Sequence, residues 1–170
     1  AGTAPATLNV FIPPDELSLA KQFVGNPAAP GGTSQLKYTL RNLNRDHSIT
    51  GISFTDDLNS ALSGLTAAGL PTAPCGAGST LTGVSTLTLS GGSLGPGESC
   101  EFTVDLSVPG AAADGSYTST TSAISGTKNG GAVTGSAVSA SLFVKSVPQL
   151  SMAFIDSPVN QGGQTTLRCT

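Results

Sequence analysis

The chain has 170 residues, a net charge of −3 and charged side chains at only 10% of positions, against roughly a quarter in average soluble proteins. Seven Lys and Arg residues are too few to neutralise a run of phosphates, which excludes nucleic acid as a partner. The 38% of hydrophobic residues can fill one sandwich core, but they never gather into the ~20-residue apolar run of a spanning helix, so no membrane insertion is expected.

Alternation with a period of two dominates the chain and predicts an ordered all-β protein. Leu8, Val10 and Ile12 alternate into a first strand, which Pro13-Pro14 ends. Leu17, Leu19 and Phe23 open the next strand, and NPAAPGG turns the chain. Leu36, Tyr38 and Leu40 then alternate with polar residues, the pattern of a strand with one wet face. After the loop NLNRDHS comes a strand through Ile52 and Phe54, while Leu58, Leu62 and Leu65 fit a short helical turn. Leu81, Leu87 and Leu89 mark weaker strands between Gly-rich turns. The clearest strand carries Cys100, Phe102, Val104, Leu106 and Val108. Residues 117–127 and 132–145 flank Lys128-Asn129-Gly130-Gly131, a hairpin signal because Asn-Gly accepts the positive φ of a type I′ turn. Short strands with a turn signal about every ten residues predict a Greek-key β-sandwich.

The two ends of this pattern echo each other. FVGNPAAPGGTSQLKYT at residues 23–39 aligns without a gap on FIDSPVNQGGQTTLRCT at residues 154–170, at a constant offset of 131 residues (Phe154 against Phe23). ATLNV at residues 6–10 resembles ASLFV at 140–144, at an offset of 134 (Ala140 against Ala6). A fixed period is the signature of tandem architecture. The expected organisation is the last strand and linker of one repeat at 1–14, a complete sandwich at 15–148 and the first strands of a following repeat at 149–170. Leu8, Val10, Ile12, Leu150, Met152, Phe154, Leu167 and Cys169 are the candidate assembly strands, whose expected partners are other copies of the same repeat, in a filament or array.

Of three cysteines, Cys75 sits in a Pro-Cys-Gly turn and Cys100 starts a strand after LGPGES. They are either joined as a disulfide across a loop of about 25 residues, which would be worth roughly 3 kcal/mol and imply an oxidising setting, or two buried thiols. Cys169 aligns with the inward Tyr38, so it reads as a buried thiol or as one whose partner lies beyond Thr170. Asp46, Asp56 and Asp57 are candidate oxygen ligands for calcium at a sandwich end, though their spacing fits no EF-hand and adjacent acids at a strand end are commonly solvated caps. No other cofactor is indicated. His47 beside Asp46 has no nucleophile or oxyanion loop to work with, so it reads as a surface histidine and the protein as non-enzymatic.

KQF followed by PAAPGGTSQLKYTLRN, FTDDL, PCG, LGPGESCEFTVDLSVP and DGSYTSTTSAI together resemble the immunoglobulin-like tandem repeat of unknown function found in large bacterial and archaeal extracellular surface proteins, over residues 17–147. The resemblance implies an immunoglobulin-like sandwich displayed outside a prokaryotic cell or on its surface, and no catalysis. By likeness to some cell-surface sandwiches, Lys21, Lys37 and Lys145 become candidates for an isopeptide bond to Asn or Asp. The expected function is a structural repeat of an extracellular filament or stalk. The alternative is an adhesin that recognises a glycan or protein ligand through loops at one sandwich end.

Overall fold

The computed structural model describes residues 15–148 and 150–170. The strand expected through Leu8, Val10 and Ile12 lies outside the described residues.

The alternating segments form strands in chain order: β1 (Leu17–Val24), β2 (Thr33–Asn42), β3 (Ile49–Asp57), a single helical turn α1 (Leu58–Ala61), β4 (Thr66–Gly69), β5 (Thr80–Thr82), β6 (Thr86–Leu94), β7 (Ser99–Ser107), β8 (Gly115–Thr120), β9 (Ile124–Lys128), β10 (Gly131–Gly135), β11 (Ser139–Val144), β12 (Met152–Phe154) and β13 (Leu167–Cys169). One sheet has the order β1-β2-β7-β4 and the other β10-β9-β3-β6-β5. Strand pairing within both is antiparallel. The apolar half of each alternating strand turns inward, so Leu36, Leu40, Val104 and Leu106 of one sheet share a core with Ile52, Phe54, Leu87 and Leu89 of the other. The result is an immunoglobulin-like Greek-key β-sandwich. β6 is stronger than its sequence suggests: it runs for nine residues and pairs with both β3 and β5, with its Gly91-Gly92 step absorbed by register shifts against β3.

The predicted hairpin around Asn129-Gly130 exists, with both residues at positive φ (48° and 79°), but it is not one ribbon in one sheet. β8 pairs with β11 in the same register that pairs β9 with β10. Between these halves the ribbon bends at Thr121–Ala123, where Ser122 donates its backbone N–H to the Thr55 carbonyl (2.8 Å) and its hydroxyl accepts from the Thr55 N–H (2.9 Å). β9 and β10 thereby join the β3 sheet, while β8 and β11 form a separate two-stranded ribbon. Gly135 is required at the crossing, because a Cβ there would stand 1.9 Å from the Leu17 carbonyl oxygen. The Asn26 side chain then pins β11, accepting from the Phe143 N–H (2.7 Å) and donating to the Ser141 carbonyl (3.0 Å).

Cys75 and Cys100 are joined, with Cα atoms 5.6 Å apart, tying the loop before β5 to the start of β7.

β12 and β13 repeat the opening of the sandwich in detail. β1 and β2 pair Lys21 with Tyr38, Gln22 with Lys37 and Phe23 with Leu36. Each pair moved on by 131 residues is a pair of the second hairpin: Met152 with Cys169, Ala153 with Arg168 and Phe154 with Leu167. The turns match too. Gly31 and Gly162 have φ of 73° and 81°, and the N–H of Gly32 reaches the Ala29 carbonyl (2.9 Å) as that of Gly163 reaches Asn160 (2.8 Å). In the second hairpin, however, Met152, Phe154 and Leu167 are exposed. Cys169 is a free, exposed thiol, and not the buried one its alignment with Tyr38 suggests, because among the described residues no second sheet covers this hairpin.

Candidate functional site

Strand alternation puts a run of inward positions on β1: Leu17, Leu19, Lys21 and Phe23. Lys21 breaks the apolar series. On β3 the inward run is Ile52, Phe54 and Asp56, which Asp56 breaks in the same way. These two charged side chains meet in the core. Lys21 Nζ lies 2.6 Å from Asp56 Oδ2, and neither side chain has any solvent-accessible surface.

Two neighbours complete the cluster. Tyr38, paired with Lys21 across β1 and β2, donates its hydroxyl to the same carboxylate oxygen, Oδ2. Ser119 on β8 donates to the other oxygen, Oδ1, at 2.7 Å, and its Oγ accepts from Lys21 Nζ at 2.6 Å. The Tyr38 ring is wedged between Phe54 and Phe102, each with its centroid 5.2 Å away. Four elements thus deliver four polar groups to one point walled by apolar and aromatic side chains. Every buried polar side-chain atom among the described residues has a partner, as an interior that excludes water requires.

Burial in this pocket works against charge on Lys21 and on Tyr38. Burial pushes the Lys21 ammonium below the ordinary lysine range, against the opposing pull of Asp56. Burial, reinforced by the Asp56 charge, pushes the Tyr38 phenol far above its usual range, so it remains a hydrogen-bond donor. Desolvating a carboxylate and an ammonium costs several kcal/mol per ion. Such a pair persists only where hydrogen bonds meet its remaining valences, as Tyr38 and Ser119 do here.

The remaining candidate residues are dispersed. The three aspartates considered for calcium do not converge. Asp56 is saturated in the core, Asp57 caps α1 by accepting the Ser60 N–H (3.1 Å), and Asp46 is exposed in the loop after β2, its N–H bonded to the Asn44 side chain (3.0 Å). Among the described residues no cluster of His, Cys, Asp and Glu forms a metal site. His47 is exposed in that same loop and offers its backbone carbonyl to Asn42 (2.9 Å). Lys37 pairs with Glu101 on the wet face of the first sheet (2.7 Å), and Lys145 is exposed after β11. A groove of about 570 Å³ over Val24, Ser34, Gln35, Ala68 and Asp105 gathers no reactive set, since Asp105 already accepts from the Gln35 amide (2.7 Å).

Of the three lysines singled out from sequence, only Lys21 is set against a carboxylate in the core. Asp56 is also misread as a solvated strand-end acid. The signal for both lay in the alternation, where a charged residue occupies a position that the period assigns to the core.

Fold and site together define a sandwich module of antiparallel sheets with a polar cluster sealed inside it. The chain belongs to the family described as a domain of unknown function (DUF7933), which matches residues 18–144. No curated protein matches the sequence. Among solved structures it is similar to the major pilin subunit of Bacillus cereus, with 12% identity, a TM-score of 0.58 and coverage of 91% of this chain and 53% of the pilin chain; it therefore spans about half of that pilin's length. It is also similar to a chain of a type I cohesin–dockerin complex from Clostridium thermocellum (8% identity, TM-score 0.52, 74% of this chain and 99% of that chain). The sixth cohesin of scaffoldin B from Acetivibrio cellulolyticus, solved with a dockerin, is comparable (10% identity, TM-score 0.53, 75% and 99%). At these identities the likeness is one of fold.

Proposed function

We propose that the protein is a non-catalytic structural repeat of an extracellular filament or cell-surface stalk in a prokaryote, built from sandwiches that follow one another along the chain. The observation that carries this reading is the second hairpin, in which β12 and β13 reproduce the register and turn of β1 and β2 at the sequence offset of 131. A two-stranded hairpin with Met152, Phe154 and Leu167 exposed gains little stability alone. The same hairpin is well formed at 17–42, where a second sheet covers it. The reading is that residues 149–170 open a further sandwich and that residues 1–14 close a preceding one, so that neighbours along an array share one geometry. Continuation along the chain accounts for the constant offset better than strand donation between subunits does. A sparsely charged, Ser- and Thr-rich outer surface, with hydroxyl pairs such as Thr118–Ser141 (2.8 Å) and Thr120–Ser139 (2.7 Å), suits a display role, and the pilin likeness in fold agrees with it.

The test is immunogold labelling of intact cells with antibody raised against residues 15–148, with electron microscopy of the protein released from them. Thin surface rods whose axial step is one sandwich are expected. Label confined to the cell interior would overturn the reading. Compact particles that bind a glycan or protein saturably through loops at one end would replace it with the adhesin alternative.

A further inference from the structure

We propose that Lys21 and Asp56 become covalently joined by an amide bond across the core, linking β1 of one sheet to β3 of the other. An amine nitrogen 2.6 Å from a carboxyl oxygen lies close to the carboxyl carbon one bond further on, and both side chains are held there by packing. Groups fixed in this way react with effective molarities of about 10⁵ M or more.

The step balances without any co-reactant. Proton transfer from the Lys21 ammonium to the Asp56 carboxylate, in contact at 2.6 Å, gives the amine and the acid that the step requires. The Lys21 Nζ lone pair attacks Asp56 Cγ, forming the C–N bond. The negative charge that develops on the carboxyl oxygens falls where the Tyr38 and Ser119 hydroxyls already donate, one to each oxygen. The C–O bond then breaks, its oxygen leaves as water with the protons released by nitrogen and acid, and a secondary amide remains. Amide formation in bulk water is held back by the hydration of the two ions; here that hydration is already gone. Ser119 Oγ also accepts from Nζ, which sets it to take the proton that nitrogen must lose.

A structural ion pair alone explains this arrangement less well. The second hairpin keeps the register of the first but carries Met152 and Cys169 where the first has Lys21 and Tyr38. The hairpin register therefore forms without a charged residue at these positions, so the cluster is not a condition of the strand pairing.

The experiment is intact mass measurement of the reduced, denatured full chain, followed by tryptic mapping. The expected mass is that of the sequence less one water. Amidation also blocks cleavage after Lys21, so residues 1–37 should remain attached to residues 46–128, the fragment bounded by Arg45 and Lys128. Lys21→Met should restore the full mass for its own sequence. Tyr38→Phe, which keeps the ring and removes only the hydroxyl donor, should give a mixture of bonded and unbonded chains. A full-length mass with normal cleavage after Lys21 in the wild-type chain overturns the proposal. So does a loss of water with residues 1–21 released freely, which would place the dehydration elsewhere. Because the wild-type mass decides the matter, a variant that fails to fold does not blunt the test.

Discussion

Two hairpins of this molecule share one register and differ in what covers them. β1 and β2 bury Leu36 and Tyr38 completely, whereas their counterparts in β12 and β13, Leu167 and Cys169, are exposed. Backbone pairing and turn chemistry are therefore local properties that the repeated segment carries with it. Burial is a property of the partner sheet, which only the first hairpin has among the described residues. The comparison also separates pairing from specialisation, because the positions of the buried cluster, Lys21 and Tyr38, are Met152 and Cys169 in the second hairpin while the register is kept.

The largest effect should come from breaking the cluster one-sidedly. Lys21→Met alone leaves Asp56 buried without its cation and should cost about 3–5 kcal/mol in denaturant unfolding. Adding Asp56→Leu should recover the part of that loss that comes from the unpaired charge, since an apolar pair of similar volume is often neutral in such a position, and leave the part that comes from the missing amide. If the double variant is no more stable than the single one, the strand positions are not interchangeable with the apolar ones of the second hairpin.

Truncating matched leucines tests the coverage difference itself. Leu36→Ala should cost about 2–5 kcal/mol, while Leu167→Ala, the same position 131 residues on, should stay within about 0.5 kcal/mol. Equal costs would mean that the second hairpin is covered in solution.

The cysteines sharpen the same contrast. Alkylation without reductant should label Cys169 alone, and replacing Cys75 and Cys100 together by Ala should cost roughly 2–4 kcal/mol by freeing the loop in the unfolded chain. Labelling at all three positions would remove the bond and the oxidising compartment that goes with it.

The smallest expected effect lies at the entrance to β1. The Lys128 ammonium, hydrogen-bonded at 2.5 Å, holds the Glu16 carboxyl below the ordinary range, with partial burial opposing it. A carboxyl whose folded pKa is depressed contributes stability above its unfolded value, near about pH 4, and loses it as pH falls through the lower folded value. Melting temperatures of the wild type and Glu16→Gln should therefore differ slightly at neutral pH and converge in acid.

Much of this was legible in the chain. Alternation located most strands of the sandwich, though not the edge strand β4, because the side-chain period of a strand is two wherever one face is buried, and Asn129-Gly130 marked a turn because it tolerates positive φ. The offset of 131 residues was visible as identity in Phe, Pro, Gly-Gly, Leu and Thr. The pairing of β12 with β13 in the register of β1 with β2 follows from local pattern alone. What tertiary structure decided is which inward positions meet. Lys21 and Ser119 are 98 residues apart in sequence, and Asp56 and Ser119 are 63 apart, so no local period could report that Lys21, Tyr38 and Ser119, from three strands, converge on the one carboxylate of Asp56. The bend that divides the last long hairpin between two sheets was equally hidden, because it depends on Ser122 finding Thr55 of another strand and on Gly135 letting the backbone of β1 pass. Periodicity assigns a residue to the inside; only the packing of one sheet on the other determines what it touches there.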